Sequence, residues 1–264
     1  MEDALFVRDG DTYVPSPHTT GPWDPRAQHA GAPAALLGGA IERLVTDAPM
    51  QVARFTLELL RPVPVAPLQV SAQVERPGRR VQLCTASAFA AGEEVCRASV
   101  WRIRVTDLPL SVAQVTAAQI GMPATSERFV AGGEPALHRT GMEIRFSRGA
   151  FEERGDATAW FRLRYPVVAG EQPSPLQRVL AAADFGNGIS APFEYLTVLY
   201  INTELTVHLH RYPAGEWVCL ESHTAFQPSG IGIAQSSLYD LRGPLGRSEQ
   251  ALLIDRRADP PPSS

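Results

Sequence analysis

The most informative absence in this chain of 264 residues is lysine, because all 24 of its basic residues are arginines. Without lysine the chain cannot form a Schiff base with a carbonyl substrate, and it cannot supply the lysine of a phosphate-binding P-loop. Positive charge is scarce as well, since the formal net charge is -4 and the isoelectric point lies near 5.9. A basic field that attracts nucleic acid is therefore excluded, and we expect no nucleic-acid partner.

Cysteine and long apolar runs are also scarce. The three cysteines, Cys84, Cys96 and Cys219, are odd in number, show no CxxC spacing and lie in apolar, strand-like stretches. This pattern predicts reduced, buried thiols. No run approaches the roughly 18 apolar residues of a membrane span, and the N-terminal "MEDALFVRDGD" lacks the apolar stretch of a signal peptide. We expect a cytoplasmic protein with no membrane partner.

Several catalytic and cofactor signatures are missing. There is no GxSxG motif of a serine hydrolase and no glycine-rich loop of the GxGxxG or GxxxxGK type. His208 and His210 share one face of a predicted strand, but no third ligand stands at a suitable spacing. We therefore predict neither a bound metal nor a cofactor.

The order of predicted elements occurs twice along the chain. Residues 29–45, "HAGAPAALLGGAIERLV", have the apolar spacing of a helix, and four stretches with strand-like alternation follow. Residues 174–187 predict a second helix, again followed by strands. Because the first helix is apolar around its circumference, a curved antiparallel sheet must enclose it. The sequence thus predicts an α+β protein made by internal duplication, with a long central helix in each unit.

Composition sets the predicted boundaries of the two units. The first unit spans residues 1–105 and the second spans 139–257. Residues 106–138 are rich in Pro, Ala, Gly and Ser and predict a linker. Residues 258–264, "ADPPPSS", predict a disordered tail. If both units derive from one ancestor, we expect their sheets to join edge to edge.

One carboxylate stands out in the second helix. Asp184 interrupts the otherwise small and apolar start of "LAAADFGNGIS". Burying a charge is costly unless a partner or a reaction requires it. Asp184 is therefore a candidate general base, and the alternative is a residue that ends the helix ahead of the glycines.

Three segments together resemble a known family. "GPWDPRAQHAGAPAALL", "SPLQRVLAAADFGNG" and "VHLHRYPAGEW" are similar to stretches of the two-domain, double hot-dog acyl-CoA thioesterases of the thioesterase II type. The resemblance extends from about residue 13 to residue 257. It implies a double hot-dog fold and the hydrolysis of an acyl-CoA, or of an acyl-carrier substrate, by water and without a cofactor.

The resemblance also implies the site residues. In this family an Asp on the second central helix, a Thr and a Gln hold the attacking water. Asp184 and Gln250 match the Asp and the Gln, whereas the position of the Thr falls on Asn202, with Thr203 next to it. We further expect His29 and Gly31, at the entry of the first helix, to contact the substrate.

Two other functions remain open at this stage. Asp24 precedes His29 by the spacing found in hot-dog enoyl-CoA hydratases, where an Asp and a His together activate water. The missing Thr is also compatible with a catalytically inactive acyl-CoA-binding protein. Association into a homo-oligomer is compatible with either function.

Overall fold

A computed structural model describes residues 4–109, 120–123 and 134–257. The predicted tail 258–264 and most of the predicted linker 106–138 lie outside the described residues. Within those residues the strands are β1 (Phe6–Asp9), β2 (Thr12–Pro15), β3 (Met50–Leu59), β4 (Leu68–Arg76), β5 (Val81–Ala90), β6 (Glu93–Arg104), β7 (Met142–Arg148), β8 (Ala157–Leu163), β9 (Val198–Asn202), β10 (Glu204–Leu209), β11 (Val218–Gln227), β12 (Ile231–Asp240) and β13 (Gly243–Arg256). The α-helices are α1 (Gly31–Glu42), α2 (Pro175–Ala183) and α3 (Gly186–Ser190).

All of these strands belong to one antiparallel sheet. Its order is β1-β2-β4-β5-β6-β3-β10-β13-β12-β11-β8-β7, and β9 pairs with β13. The two halves of the chain meet where β3 pairs with β10, with Thr56 opposite Thr206. The sheets of the two halves therefore join edge to edge, as the duplication predicts. The hairpin of β1 and β2 has no counterpart in the sequence-based prediction.

Helix α1 is enclosed, as its apolar composition requires. Every residue from Gly31 to Ile41 is buried. The helix is shorter than the predicted stretch 29–45, and the buried guanidinium of Arg102 binds carbonyls at its C-terminal end. The Nη1 of Arg102 donates to the carbonyls of Ile41 at 3.2 Å and Leu44 at 3.1 Å. Carbonyls at a helix end otherwise lack partners.

The second predicted helix, residues 174–187, is interrupted rather than long and continuous. A capping box between Ser174 and Gln177 starts α2, and α3 begins only at Gly186. The two residues between the helices, Asp184 and Phe185, have ψ angles of -5° and -7°, well away from the helical value near -42°. The chain turns there, so Asp184 lies at a helix end. No helix among the described residues is long and apolar enough to cross a bilayer.

The three cysteines are free and buried, which confirms the prediction for their thiols. Burial raises the pKa of both Cys96 and Cys219 to about 12, with a smaller contribution from a neighbouring glutamate in each case. Since the thiolate is the reactive form, these thiols are poor nucleophiles.

Candidate active site

The carboxylate of Asp184 is the centre of a buried polar cluster between the helices and the sheet. The residue is only 4% exposed. Its Oδ1 accepts hydrogen bonds from Nδ2 of Asn202 at 2.9 Å and Nε2 of Gln250 at 3.1 Å. Its Oδ2 accepts one from the backbone N–H of Gly31 at 2.8 Å and lies 2.7 Å from Nδ1 of His29. The structure thus brings together five of the residues singled out in the sequence.

The start of α1 supplies two of these contacts. The first N–H groups of a helix have no partner within the helix, so the N–H of Gly31 is free to bind a carboxylate. Glycine is required there, because a Cβ at position 31 would lie 2.6 Å from the carbonyl oxygen of Ala181. The missing side chain lets α1 begin directly against α2 and the carboxylate.

The ring of His29 is fixed on two sides. It stacks on Phe185, with 4.3 Å between ring centroids and an interplanar angle of 28°. Nδ1 of His29 lies 2.7 Å from Oδ2 of Asp184, close enough for the two atoms to share one proton, and it also lies 3.3 Å from the backbone nitrogen of Gly31, whose N–H points at both atoms. The backbone N–H of His29 donates to the carbonyl of Thr19 at 2.8 Å. Backbone and ring contacts together hold the imidazole against Asp184.

Gln250 is positioned from β13 and is 1% exposed. Its Oε1 accepts a hydrogen bond from the backbone N–H of Asn187 at 3.0 Å, which leaves Nε2 to face Asp184. Sequence analysis missed Asn187 and also Gly186, where a Cβ would lie 2.9 Å from Oε1 of Gln250. The glycines of "DFGNG" were the available signal, since glycine in a helix often marks close approach of another element.

The adjacent residues Asn202 and Thr203 lie in different surroundings. Asn202 ends β9 and donates from Nδ2 to Asp184 and, at 3.2 Å, to the carbonyl of Glu204. Thr203 lies between β9 and β10, is exposed, and its hydroxyl is 3.4 Å from the carbonyl oxygen of Ala251. Of the two candidates, Asn202 contacts the carboxylate.

The pairing of Asp24 with His29, on which the hydratase alternative depends, is wrong. The carboxylate of Asp24 instead binds the guanidinium of Arg26, with a shortest contact of 2.8 Å, on the surface. These two side chains lie two residues apart in one turn, where a local ion pair forms readily. The carboxylate beside His29 is Asp184, from the other half of the chain.

A further histidine, His138, was not predicted. It lies in a five-residue π-helical turn, Leu137–Gly141, just before β7. Burial lowers the pKa of His138 to about 4, with smaller contributions from nearby His29 and Arg139. Its ring is therefore neutral near pH 7. Among the described residues, no group of three or more His, Cys, Asp and Glu side chains is arranged to hold a metal ion.

Solved structures with the same architecture define the class of the protein. A protein described as a thioesterase II from Thermobifida fusca has a TM-score of 0.72 at 20% identity, covering 95% of both chains. A hot dog fold protein from Alicyclobacillus acidocaldarius has a TM-score of 0.71 at 17% identity, covering 97% of this chain and 96% of that one. An acyl-CoA thioesterase II from Mycobacterium marinum has a TM-score of 0.63 at 15% identity, covering 96% and 95%. The chain therefore has a hot dog fold.

Family models identify the chain more closely. The N-terminal domain model of acyl-CoA thioesterases matches residues 19–103, and the C-terminal domain model matches residues 112–254. No curated protein sequence is significantly similar to the chain. The chain belongs to the acyl-CoA thioesterase family and is a thioester hydrolase.

Proposed function

We propose that this protein hydrolyses acyl-CoA by direct attack of water on the thioester carbonyl, giving a free acid and CoA, and that the reaction depends on the carboxylate of Asp184. The observation that carries the proposal is the convergence of Gly31, His29, Asn202 and Gln250 on that one buried carboxylate. A thiolate leaves readily, so no covalent nucleophile is needed. The family description supports CoA as the carrier of the acyl group.

Each residue of the cluster has a proposed role. Asn202 and Gln250 each donate an amide N–H to Oδ1 of Asp184, and these two hydrogen bonds fix the orientation of the carboxylate. His29 and Gly31, at the start of α1, border the place where we expect the thioester to bind. Thr203 has no proposed role, because its side chain is exposed and its hydroxyl contacts the carbonyl oxygen of Ala251.

Asp184→Asn tests the proposal. An amide cannot accept hydrogen bonds from all four donors. We expect turnover to fall by about 10²- to 10⁴-fold while acyl-CoA still binds. We also expect the free energy of unfolding to fall by about 1–3 kcal/mol, because buried donors lose their acceptor. Thiol release across acyl-CoAs of different lengths gives the turnover, and thermal melting gives the stability.

Asp240→Asn is the matched control. Asp240 is another buried carboxylate, held by two contacts to Arg211 at 2.6 and 2.7 Å at the end of β12. Its replacement also removes a buried charged group, but at the β12–β13 turn, whereas Gln250 pairs with Ala234 six residues earlier in β12. We expect lower stability with turnover retained below the melting temperature. Turnover that survives in Asp184→Asn contradicts the proposal, and binding without thiol release in the unaltered protein indicates an inactive acyl-CoA-binding protein.

We also propose that the chain is a double hot-dog, with units at residues 1–105 and 139–257. The sheet supports this organisation, because each half contributes a helix-and-strand set and the halves meet at the β3–β10 pair. Association of the chain into a homo-oligomer is also proposed, and a measurement of mass in solution tests it.

A further inference from the structure

The carboxylate of Asp184 has no hydrogen-bonding capacity left for a water molecule. A carboxylate offers about four lone-pair sites, two on each oxygen. Both sites of Oδ1 are taken by Asn202 and Gln250, and both sites of Oδ2 by Gly31 and His29. A water that gave its proton directly to Asp184 would first have to displace one of these four donors. Another group is therefore needed to receive the proton.

The far nitrogen of His29 meets this need. When the proton of the 2.7 Å contact resides on Nδ1, as an acceptor-only carboxylate oxygen requires, Nε2 of the imidazole carries an unshared electron pair. Nε2 has no hydrogen-bond partner among the described residues, yet it is not one of the fully enclosed polar atoms. It is therefore at least partly accessible beside the cluster. Stacking on Phe185 fixes the plane of the ring and so the direction of Nε2.

We propose that His29 is the general base, and that Asp184 acts through it as the group that holds the imidazole. This inference rests on the proposed function and specifies where the proton goes. Water adds its oxygen to the thioester carbonyl carbon while one of its protons moves to Nε2. The carbonyl oxygen becomes the oxyanion of a tetrahedral intermediate. When that intermediate collapses, the C–S bond breaks and the sulfur takes the proton from Nε2, which regenerates neutral His29 and releases CoA and the acid.

The amide of Asn202 supports this arrangement. Both hydrogens of its Nδ2 are used, one on Asp184 and one on the carbonyl of Glu204. Its Oδ1 has no partner among the described residues and is likewise not fully enclosed. It can accept a hydrogen bond from the second O–H of a water. Asn202 thus provides an acceptor beside the carboxylate.

Substitution of His29 by Asn distinguishes two roles of His29, that of a base and that of a residue that only forms a hydrogen bond with Asp184. The amide of Asn can place an N–H close to the position of Nδ1, so it can keep the hydrogen bond to Asp184, but it has no basic nitrogen. We expect His29→Asn and His29→Ala to lose turnover to a similar extent, about 10²- to 10⁴-fold, with little change in KM. His223→Ala, which removes an exposed histidine paired with Asp156, is the control and retains full turnover.

Chemical rescue supplies the second readout. Imidazole added to His29→Ala can enter the space that the ring vacates and accept the proton, so we expect turnover to rise at least about 10-fold and to saturate with imidazole concentration. The same imidazole added to Asp184→Asn should give no rescue, and a sample without enzyme corrects for direct attack of imidazole on the thioester. Near-normal turnover of His29→Asn, or a His29→Ala that is inactive and not rescued, overturns the assignment of His29. Absence of thiol release by the unaltered protein overturns the proposed function instead.

Discussion

At the residue scale, Asp184 shows what a sequence can and cannot reveal about a buried charge. Its position in an apolar helix was enough to single it out, and Gln250 followed from the family resemblance. The partners on Oδ2 could not be predicted, because Gly31 and Asp184 are 153 residues apart and meet only through the packing of α1 against α2. An isolated buried charge is expected to destabilise a protein, whereas this one is satisfied by four donors. For this reason we expect its removal to lower stability.

The replacement of the family's Thr by Asn202 leads to a test with two adjacent residues. Asn202→Ala removes a hydrogen bond to a charged group, so we expect turnover to fall by about 10- to 100-fold. Thr203→Ala alters an exposed side chain outside the cluster, and we expect a change of less than about 2-fold. Steady-state thiol release measures both. A strong effect of Thr203→Ala with a weak effect of Asn202→Ala contradicts the placement of Asn202 in the site.

At the scale of elements, the break between α2 and α3 is what directs Asp184 at the start of α1. The periodicity of apolar residues predicts one helix over residues 174–187, because a break of only two residues does not change that periodicity noticeably. The physical cause lies in the contacts of α3 with the sheet. A Cβ at Gly186 would lie 2.8 Å from Oγ of Ser236 on β12 and 2.9 Å from Oε1 of Gln250 on β13. A side chain at position 186 would therefore have to displace the hydroxyl of Ser236 and the amide of Gln250.

Gly186→Ala is expected to displace Gln250 from Asp184. The new methyl group must move the amide by a few tenths of an ångström or shift α3, and we expect turnover to fall by about 10- to 100-fold. Gly188, in the same helix, is the matched control, since a Cβ there would meet no atom within 4 Å. Gly188→Ala should keep full turnover and change the free energy of unfolding by about 0.5–1 kcal/mol in the stabilising direction. Equal turnover of the two variants would show that the contact at Gly186 does not position Gln250.

At the scale of the whole molecule, the register of the sheet shows which residues of the two halves correspond. The residues that correspond to the Asp184 cluster are different in the first half. Thr56 of β3 pairs with Thr206 of β10, where the two halves of the sheet meet. On its other side Thr56 pairs with Ser99 of β6, and Thr206 pairs with Glu249 of β13. Ser99 is followed by Val100, and Glu249 is followed by Gln250. Val100 therefore occupies in the first half the position that Gln250 occupies in the second.

The pairing of β3 with β6 and the pairing of β9 and β10 with β13 are interrupted at corresponding positions. One interruption occurs between Val52 and Arg54 in β3, and the other is the break after Asn202 between β9 and β10. Val52 thus occupies the place of Asn202. The duplication was visible in the order of predicted elements, but this correspondence needs the strand register, which a sequence pattern leaves open.

These correspondences predict one binding site per chain. In the first half valines replace both amide residues, and α1 has no carboxylate from Gly31 to Ile41, so the described residues form no second cluster of this kind. Calorimetric titration with a non-hydrolysable thioether analogue of an acyl-CoA should therefore give one ligand bound per chain. Asp184→Asn should keep that stoichiometry, because the carboxylate serves the reaction more than the binding of the ligand. Two equivalent ligands per chain would show that the first half has kept a site that does not use these side chains.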